Sequence, residues 1–389
     1  MGVFFRHTFA VRSPPISTAS PFSDTYGDAR SRFRSAAARA GFETSSLIQP
    51  GTGPLGEDLA IDIAMRGLDG ARTAVLCLSG VHGAEGYAGS GAQVAWLDAV
   101  GSESLPPGVG ILMVHGLNSW GFAHGLRGTE DNIDLNRNYL DHTKPHPENP
   151  LYGEIHPALC PPDLAPPRID ALLDAGQRFV ERHGQWALED AISRGQYTHP
   201  DGYHYGGRSL ARPLVQLEML VTEELRHIEH LAYVDFHSGP IGDGDTIFLC
   251  FSPEGSAMRR RAEMWWGRDA LRRETVERQW GSRRPGRSGI LFRGLVNLLD
   301  GQADIAGAVV EFCSAQPRRN ERDIMRIPML ERWLRFEGGL TAAEAPAYLA
   351  EIRTNYAPRR DNWEARVAAR AIDVLARAVK GAADWSQEP

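Results

Sequence analysis

The sequence predicts an α/β protein whose sheet is covered by helices on both faces. Three observations carry this prediction. Apolar runs of strand length at 74–78, 109–114, 232–236 and 306–312 alternate with longer stretches of helical periodicity. The runs are apolar throughout, as strands buried on both faces are. Three of them pass at once into Ser79-Gly80, His115-Gly116 and His237-Ser238-Gly239, the punctuation of a strand entering a loop.

In chain order, residues 24–42 form a helix with Tyr26, Phe33 and Ala37 on one face and Gly41 as its stop. The rest of the first fifty residues is mixed and rich in Ser and Pro. A short strand occupies 58–65, and 74–78 is an interior strand. From Val81 the spacing turns helical through Ala92, Ala95, Trp96 and Ala99. Strand 109–114 opens a long connection, 116–165, of the length that commonly lines sites. Residues 167–193 and 210–230 read as two helices around GQYTHPDGYHYGGR. Strands follow at 232–236 and 246–251, a helical stretch at 255–280, a strand at 306–312, and a mainly helical tail at 329–383. No repeat or low-complexity linker divides the chain. A single domain, 1–389, is expected, with a helical insertion near 160–230 and a helical C-terminal extension.

Of the 389 residues, 42% are hydrophobic and 23% charged, with a formal net charge of −7. This composition excludes wholesale disorder and collagen and argues against a dedicated nucleic-acid binder. No run of 18 apolar residues could span a bilayer. The start, MGVFFRHTFAVRSPP, is interrupted by Arg6, His7 and Arg12, so it lacks the apolar core of a signal peptide. The expectation is a cytoplasmic protein with no membrane and no nucleic-acid partner. Cys77, Cys160, Cys250 and Cys313 are far apart, and Cys77 and Cys313 read as small buried thiols. Between Arg259 and Arg293 lie 11 arginines and four acids, with Trp265, Trp266 and Trp280 interspersed. Helical spacing would spread these charges around one or two helices, as a solvated face or a subunit contact, with attraction of an anionic substrate as the alternative.

The most informative segment is Ser79-Gly80-Val81-His82-Gly83-Ala84-Glu85-Gly86, where a strand gives way to a helix. His82 and Glu85, three apart, can be directed toward one centre. Imidazole nitrogen and carboxylate oxygen both suit zinc, and a His₂Glu set with an open fourth position is catalytic in known enzymes. His237, at the end of an apolar strand, is a third ligand or else a satisfied core histidine. Asp235 shares its alternation face and supports the site or caps the strand. Glu311, inside the apolar strand AVVEFC, is costly unless paired, hydrated or used. Beside zinc it could take a proton from water and hand one to a leaving amine; a carboxylate pinned by an arginine is the alternative.

With these residues in place, the chain resembles the zinc carboxypeptidases of the metallocarboxypeptidase superfamily, most closely their bacterial DUF2817 branch. The matching pieces are HGAE at 82–85, LNSWGF at 117–122, Arg127, DLNRNY at 134–139, DFHSG at 235–239 and VVEF at 309–312. The pieces occur in the family's order, and the resemblance covers roughly residues 20–320. The resemblance implies a mixed, largely parallel central sheet and one Zn²⁺ ion held by His82, Glu85 and His237. It implies a zinc-activated water with Glu311 as general base, Arg127 as the arginine that steadies the oxyanion, and Asn136 with Arg137 receiving a terminal carboxylate. The implied substrate is a peptide with a free C-terminal carboxylate. An aspartoacylase-like deacylase of N-acyl amino acids and a non-catalytic binding protein are the alternatives.

The loop LRGTEDNIDLNRNY suits anion recognition through the forks of Arg127 and Arg137. Read without the flanking motifs, it is a surface loop pinned by Asp131 and Asp134. Asn118 is expected to hold this loop by hydrogen bonds; the residue after it, commonly proline in the family, is Ser119. His115 and His124 lie near enough in sequence to approach the site. The insert carrying Tyr197, His199, Tyr203, His204 and Tyr205 is a rim over the pocket, an aromatic surface patch or a buried turn. The mobile tyrosine of the best-known carboxypeptidases has no equivalent in LFRGLVNLLDG.

Overall fold

The apolar runs pair into one mixed sheet. The computed structural model describes residues 20–239, 246–272, 286–314, 321–359 and 362–388. Among these residues the strands are β1 (Glu43–Thr52), β2 (Asp58–Arg66), β3 (Thr73–Ser79), β4 (Val109–His115), β5 (His230–Gly239), β6 (Thr246–Leu249) and β7 (Asp304–Cys313). Their order is β1-β2-β4-β3-β5-β7-β6. The inner four, β4-β3-β5-β7, run parallel, while β1, β2 and β6 add antiparallel edges.

The helices, in chain order, are α1 (Tyr26–Arg39), α2 (Gly86–Val100), α3 (Ser119–His124), α4 (Leu135–Asn138), α5 (Tyr152–Leu159), α6 (Pro166–His183) and α7 (Gln185–Ser193). They continue as α8 (Arg212–Glu224), α9 (Ala257–Trp266), α10 (Arg268–Arg272), α11 (Leu291–Leu298), α12 (Glu321–Phe336), α13 (Ala345–Tyr356) and α14 (Trp363–Ser386).

Strand alternation sorts the core into two layers. One face presents Val75, Cys77, Val234, Phe236, Val310 and Phe312 and packs against α1, α2, α9 and α14. The other presents Leu76, Leu78, Leu231, Tyr233, Ile305 and Val309 and packs against α8 and α11. The tail is therefore part of the core. Val367, Ala371, Val374, Ala378, Ala382 and Trp385 form one buried stripe along α14. Full burial of each Val there stabilises by about 1.5–3 kcal/mol. α12 and α13 pack on Ala84 and Leu126 through Leu330, Leu334, Ile352 and Tyr356. Helices α5, α6 and α7 share a small core of their own, built from Tyr152, Ile155, Phe179 and Ala191.

Several elements differ from the sequence expectation. β1 forms inside the Ser-rich stretch because β2 supplies its pairing along Glu43–Ile48; most of its side chains are exposed, so it shows no apolar pattern. The helix expected at 167–193 breaks at Gly184, whose φ of 85° no helix accommodates. α11 occupies LFRGLVNL, and α3, α4 and α5 punctuate the long connection. The helical stretch expected at 255–280 appears as α9 and α10, and its remainder, with Trp280, lies outside the described residues. No helix among the described residues is long and apolar enough to cross a membrane.

Candidate metal centre

Strand order reverses beside β3, with β4 on one side and β5 on the other. Crevices open at the carboxyl ends of strands at such a point. His82 and Glu85 follow β3 on a single 3₁₀ turn, Gly83–Glu85. Asp235 and His237 stand on the Tyr233 face of β5, and Glu311 on the Val309 face of β7, paired in register with His237.

His82 Nδ1 lies 2.9 Å from Glu85 Oε1, and His237 Nδ1 lies 2.9 Å from Glu85 Oε2. The two imidazoles meet edge to face with centroids 4.8 Å apart. Their far nitrogens are backed by carboxylates: His82 Nε2 is 3.0 Å from Asp134 Oδ1, and His237 Nε2 is 2.9 Å from Asp235 Oδ2. The Tyr233 hydroxyl donates to that same Asp235 oxygen. All three donor residues are buried, His237 to 1% exposure. Their ligand atoms lie within 4.8 Å of one another, a grouping that fits a divalent metal ion. Two carboxylate-backed imidazoles with one carboxylate are the donor chemistry such an ion takes.

Burial alone would raise the Glu85 carboxyl, but His82 and His237 hold it well below the usual range. Burial would lower His237, yet Asp235 and Glu85 raise it well above its ordinary value. Glu311 is the one partly exposed side chain in the interior of β7. Burial and the nearby Glu85 push its carboxyl upward, opposed by His237, His82 and Arg127.

Arg127 reaches into the same cluster. Its Nη1 donates to Glu85 Oε1 at 3.1 Å, its Nε and Nη2 donate to Asp134 Oδ2 at 3.2 Å, and Nη2 lies 2.9 Å from His82 Nε2. Asp134, which reads in the sequence as a loop pin, is the partner of both His82 and Arg127. Asn118 does hold the loop, donating from Nδ2 to the Arg127 carbonyl at 3.0 Å while its Oδ1 accepts from Gly121 and caps α3. Ser119 takes the first position of that helix, where proline is also favoured, so the turn survives the exchange.

The turn carrying His82 and Glu85 rests directly on α3. A Cβ on Gly83 would sit 2.0 Å from the Gly121 carbonyl carbon. Gly83→Ala is expected to displace both donors, lowering metal content and melting temperature together. Metal analysis and thermal unfolding of the variant check this; unchanged values for both would contradict it.

Asn136 and Arg137 sit on α4, behind the Asp134 cap. Asn136 Oδ1 accepts from Leu291 N at 2.9 Å. Arg137 donates from Nε to the Ser193 carbonyl and from Nη1 to the Asn136 carbonyl. Among the described residues no carboxylate comes within ion-pair distance of it. Burial lowers its guanidinium to about 10, with Asp134 opposing and Arg287 and Arg127 adding to the shift. The loop around it is tight: Tyr197 Oη donates to the Arg137 carbonyl at 2.7 Å, and a Cβ on Gly289 would lie 1.9 Å from that oxygen.

The insert forms a wall of the site. Tyr205 accepts from Asp134 N at 2.8 Å, and His204 Nε2 stands 3.8 Å from Asp134 Oδ2. Tyr203 from the insert and Tyr356 from the end of α13 both lie within electrostatic reach of Arg127, Glu85 and Glu331, and burial pushes the Tyr203 phenol up to about 12. His199 packs on the ring of His156 instead. His115 belongs to the core, bonded to Ser90 Oγ and stacked on Phe33, and burial pushes it down to about 4. His124 stacks on Trp120. Of the arginine-rich stretch, Arg259 is buried and bonds the Cys250 and Leu271 carbonyls, while Arg261 stacks on Trp385. A cleft of about 670 Å³ beside Glu229, Phe251, Phe292 and Asp304 opens at the opposite ends of β5 and β7, away from this chemistry.

The family described as "Protein of unknown function (DUF2817)" matches residues 22–370. No curated protein matches the sequence. Among solved structures, bovine thrombin-activatable fibrinolysis inhibitor in complex with tick carboxypeptidase inhibitor is similar at 11% identity, over 93% of this chain and 99% of that one, with a TM-score of 0.46. The succinylglutamate desuccinylase of Chromobacterium violaceum is similar at 14% identity, over 88% of this chain and 76% of that one, with a TM-score of 0.34.

Proposed function

This chain belongs to the DUF2817 family, and on the buried His/Glu/His cluster of its structure we propose that it is a carboxypeptidase-like zinc hydrolase that cleaves an amide bond in a substrate bearing a free carboxylate. The observation that carries this reading is the convergence of His82, Glu85 and His237 on one point, with Glu311 in register beside His237.

His82, Glu85 and His237 would hold the zinc ion, which would supply Lewis acidity toward a carbonyl and water. Every other part is the chain's own. Glu311 takes a proton from the attacking water and passes it to the departing nitrogen, so that amide and water become carboxylate and amine. Arg127 turns its donors to the oxygen that gains negative charge. Asp134 and Asp235 fix the two imidazoles with Nδ1 toward the centre. Arg137 is a buried cation with no carboxylate at ion-pair distance among the described residues, which fits it to receive the substrate carboxylate. Asn136, tied through its oxygen to Leu291, keeps an amide N–H₂ for the same task.

A peptide with a free C-terminus and an N-acyl amino acid both present such a carboxylate. Zinc-loaded protein offered free-carboxylate peptides, C-terminally amidated peptides and N-acyl amino acids will separate the peptidase from the deacylase, and no turnover on any of them would overturn the reading. Arg137→Ala is expected to raise KM for the accepted substrate about 10- to 100-fold, the loss of a charge-assisted pair worth roughly 1.5–3 kcal/mol. An unchanged KM would remove Arg137 from substrate binding.

A further inference from the structure

Helix α12 enters the site through two side chains one turn apart. Glu331, 8% exposed, accepts the main-chain N–H of Arg127 on Oε2 at 3.2 Å, while its Oε1 is buried without a partner. Four residues on, Arg335 lies over the Trp120 ring. It donates to the carbonyls of Thr129 at 2.7 Å, Glu130 at 3.0 Å and Gly128 at 3.3 Å. Together they take up the N–H of Arg127 and the next three carbonyls. The opposite side of the same turn is held by Asn118 Nδ2 and Gly83 N, both donating to the Arg127 carbonyl.

We propose that Glu331 and Arg335 form a clamp on the 127–130 turn, and that they act as positioning residues aiming the Arg127 guanidinium at the metal centre. The inference rests on the role given to Arg127 above. Its physical basis is the length of the arginine side chain. Glu85 and Asp134 hold the head directly, but a long chain of rotatable bonds reaches those partners in one geometry only when the main chain at its root is fixed too, and a misplacement of about 1 Å can cost about 10²-fold in rate. Arg127 projects from a loop with no ladder of its own, and the anchors come from a helix 204 residues further along. A carboxylate for the single N–H and a guanidinium fork for the carbonyls match the polarity of each backbone group.

Glu331→Gln, Glu331→Ala and Arg335→Lys in the full-length, zinc-loaded protein test the clamp. They are compared with the wild type and Arg127→Ala by amide hydrogen exchange over residues 126–131, zinc content, and kcat and KM on the substrate accepted in the panel above. The glutamine variant keeps an acceptor for the Arg127 N–H and is expected to exchange and turn over within about twofold of the wild type. Glu331→Ala is expected to speed exchange about tenfold or more and to lower kcat about tenfold with KM and zinc unchanged, since Arg127 acts in the transition state. Arg335→Lys, which keeps the charge but loses the fork, is expected to fall between them, and it carries the test if the alanine variant does not fold. Exchange as slow as wild type in both Glu331→Ala and Arg335→Lys, or fast exchange with unchanged kcat, would overturn the clamp. Wild-type turnover by Arg127→Ala would instead overturn the role of Arg127, and the positioning role with it.

Discussion

Glu311→Gln is expected to retain one zinc per chain and to lose turnover by about 10²- to 10⁴-fold, the usual share of a general acid–base group. The amide occupies the same space but cannot accept a proton from water at neutral pH. Retained zinc is expected because Glu311 is outside the three-residue donor cluster and enters the site from a different strand. The measurement is kcat on the accepted substrate, with metal content determined on the same samples. A kcat within about threefold of wild type at full occupancy would end the proposed chemistry and leave a metal-binding protein on the same fold.

Removing one of the three clustered donors should have the largest effect on the protein itself. His237→Ala deletes one of three donors and leaves Glu85 with a single imidazole partner. The variant is expected to hold well under one tenth of a zinc per chain and to show no hydrolysis. Its stability should also stop responding to chelator. In the wild type, free zinc at about a thousand times its Kd adds roughly 4 kcal/mol to the folded state, so chelation should lower the melting temperature, with little further change in His237→Ala. Asp235→Asn is the graded companion. It leaves all three ligands but weakens the acceptor behind His237, which is expected to reduce zinc affinity about 10- to 100-fold. A His237→Ala protein that still binds stoichiometric zinc would place the metal elsewhere.

Much of the fold was legible because interior parallel strands announce themselves as short apolar runs. The strands at 74–78, 109–114, 232–236 and 306–312 were each read within three residues of their observed ends. β1 was not legible, because an exposed edge strand needs its neighbour's hydrogen bonds more than its own side chains. Helix α11 is only eight residues long, a short apolar run that periodicity alone does not separate from a strand. α12 and α13 were read only as helical tail, although they wall the metal site.

The sequence by itself determined the chemistry at the ends of three strands. A histidine and a glutamate three apart after β3, a histidine closing β5 and a glutamate inside β7 are each ambiguous by local pattern, and only their order along the chain, matched to a family, singles them out. Only the tertiary structure decided which polar residues stand behind them. Asp134 looks like any loop acid, and Glu331 and Arg335 like any exposed helix pair, until strand register and helix packing bring them to His82 and Arg127. Local spacing records what a residue's near neighbours require of it. Contacts such as that between Arg127 and Glu331 arise from the packing of whole elements, and no short stretch of chain contains them.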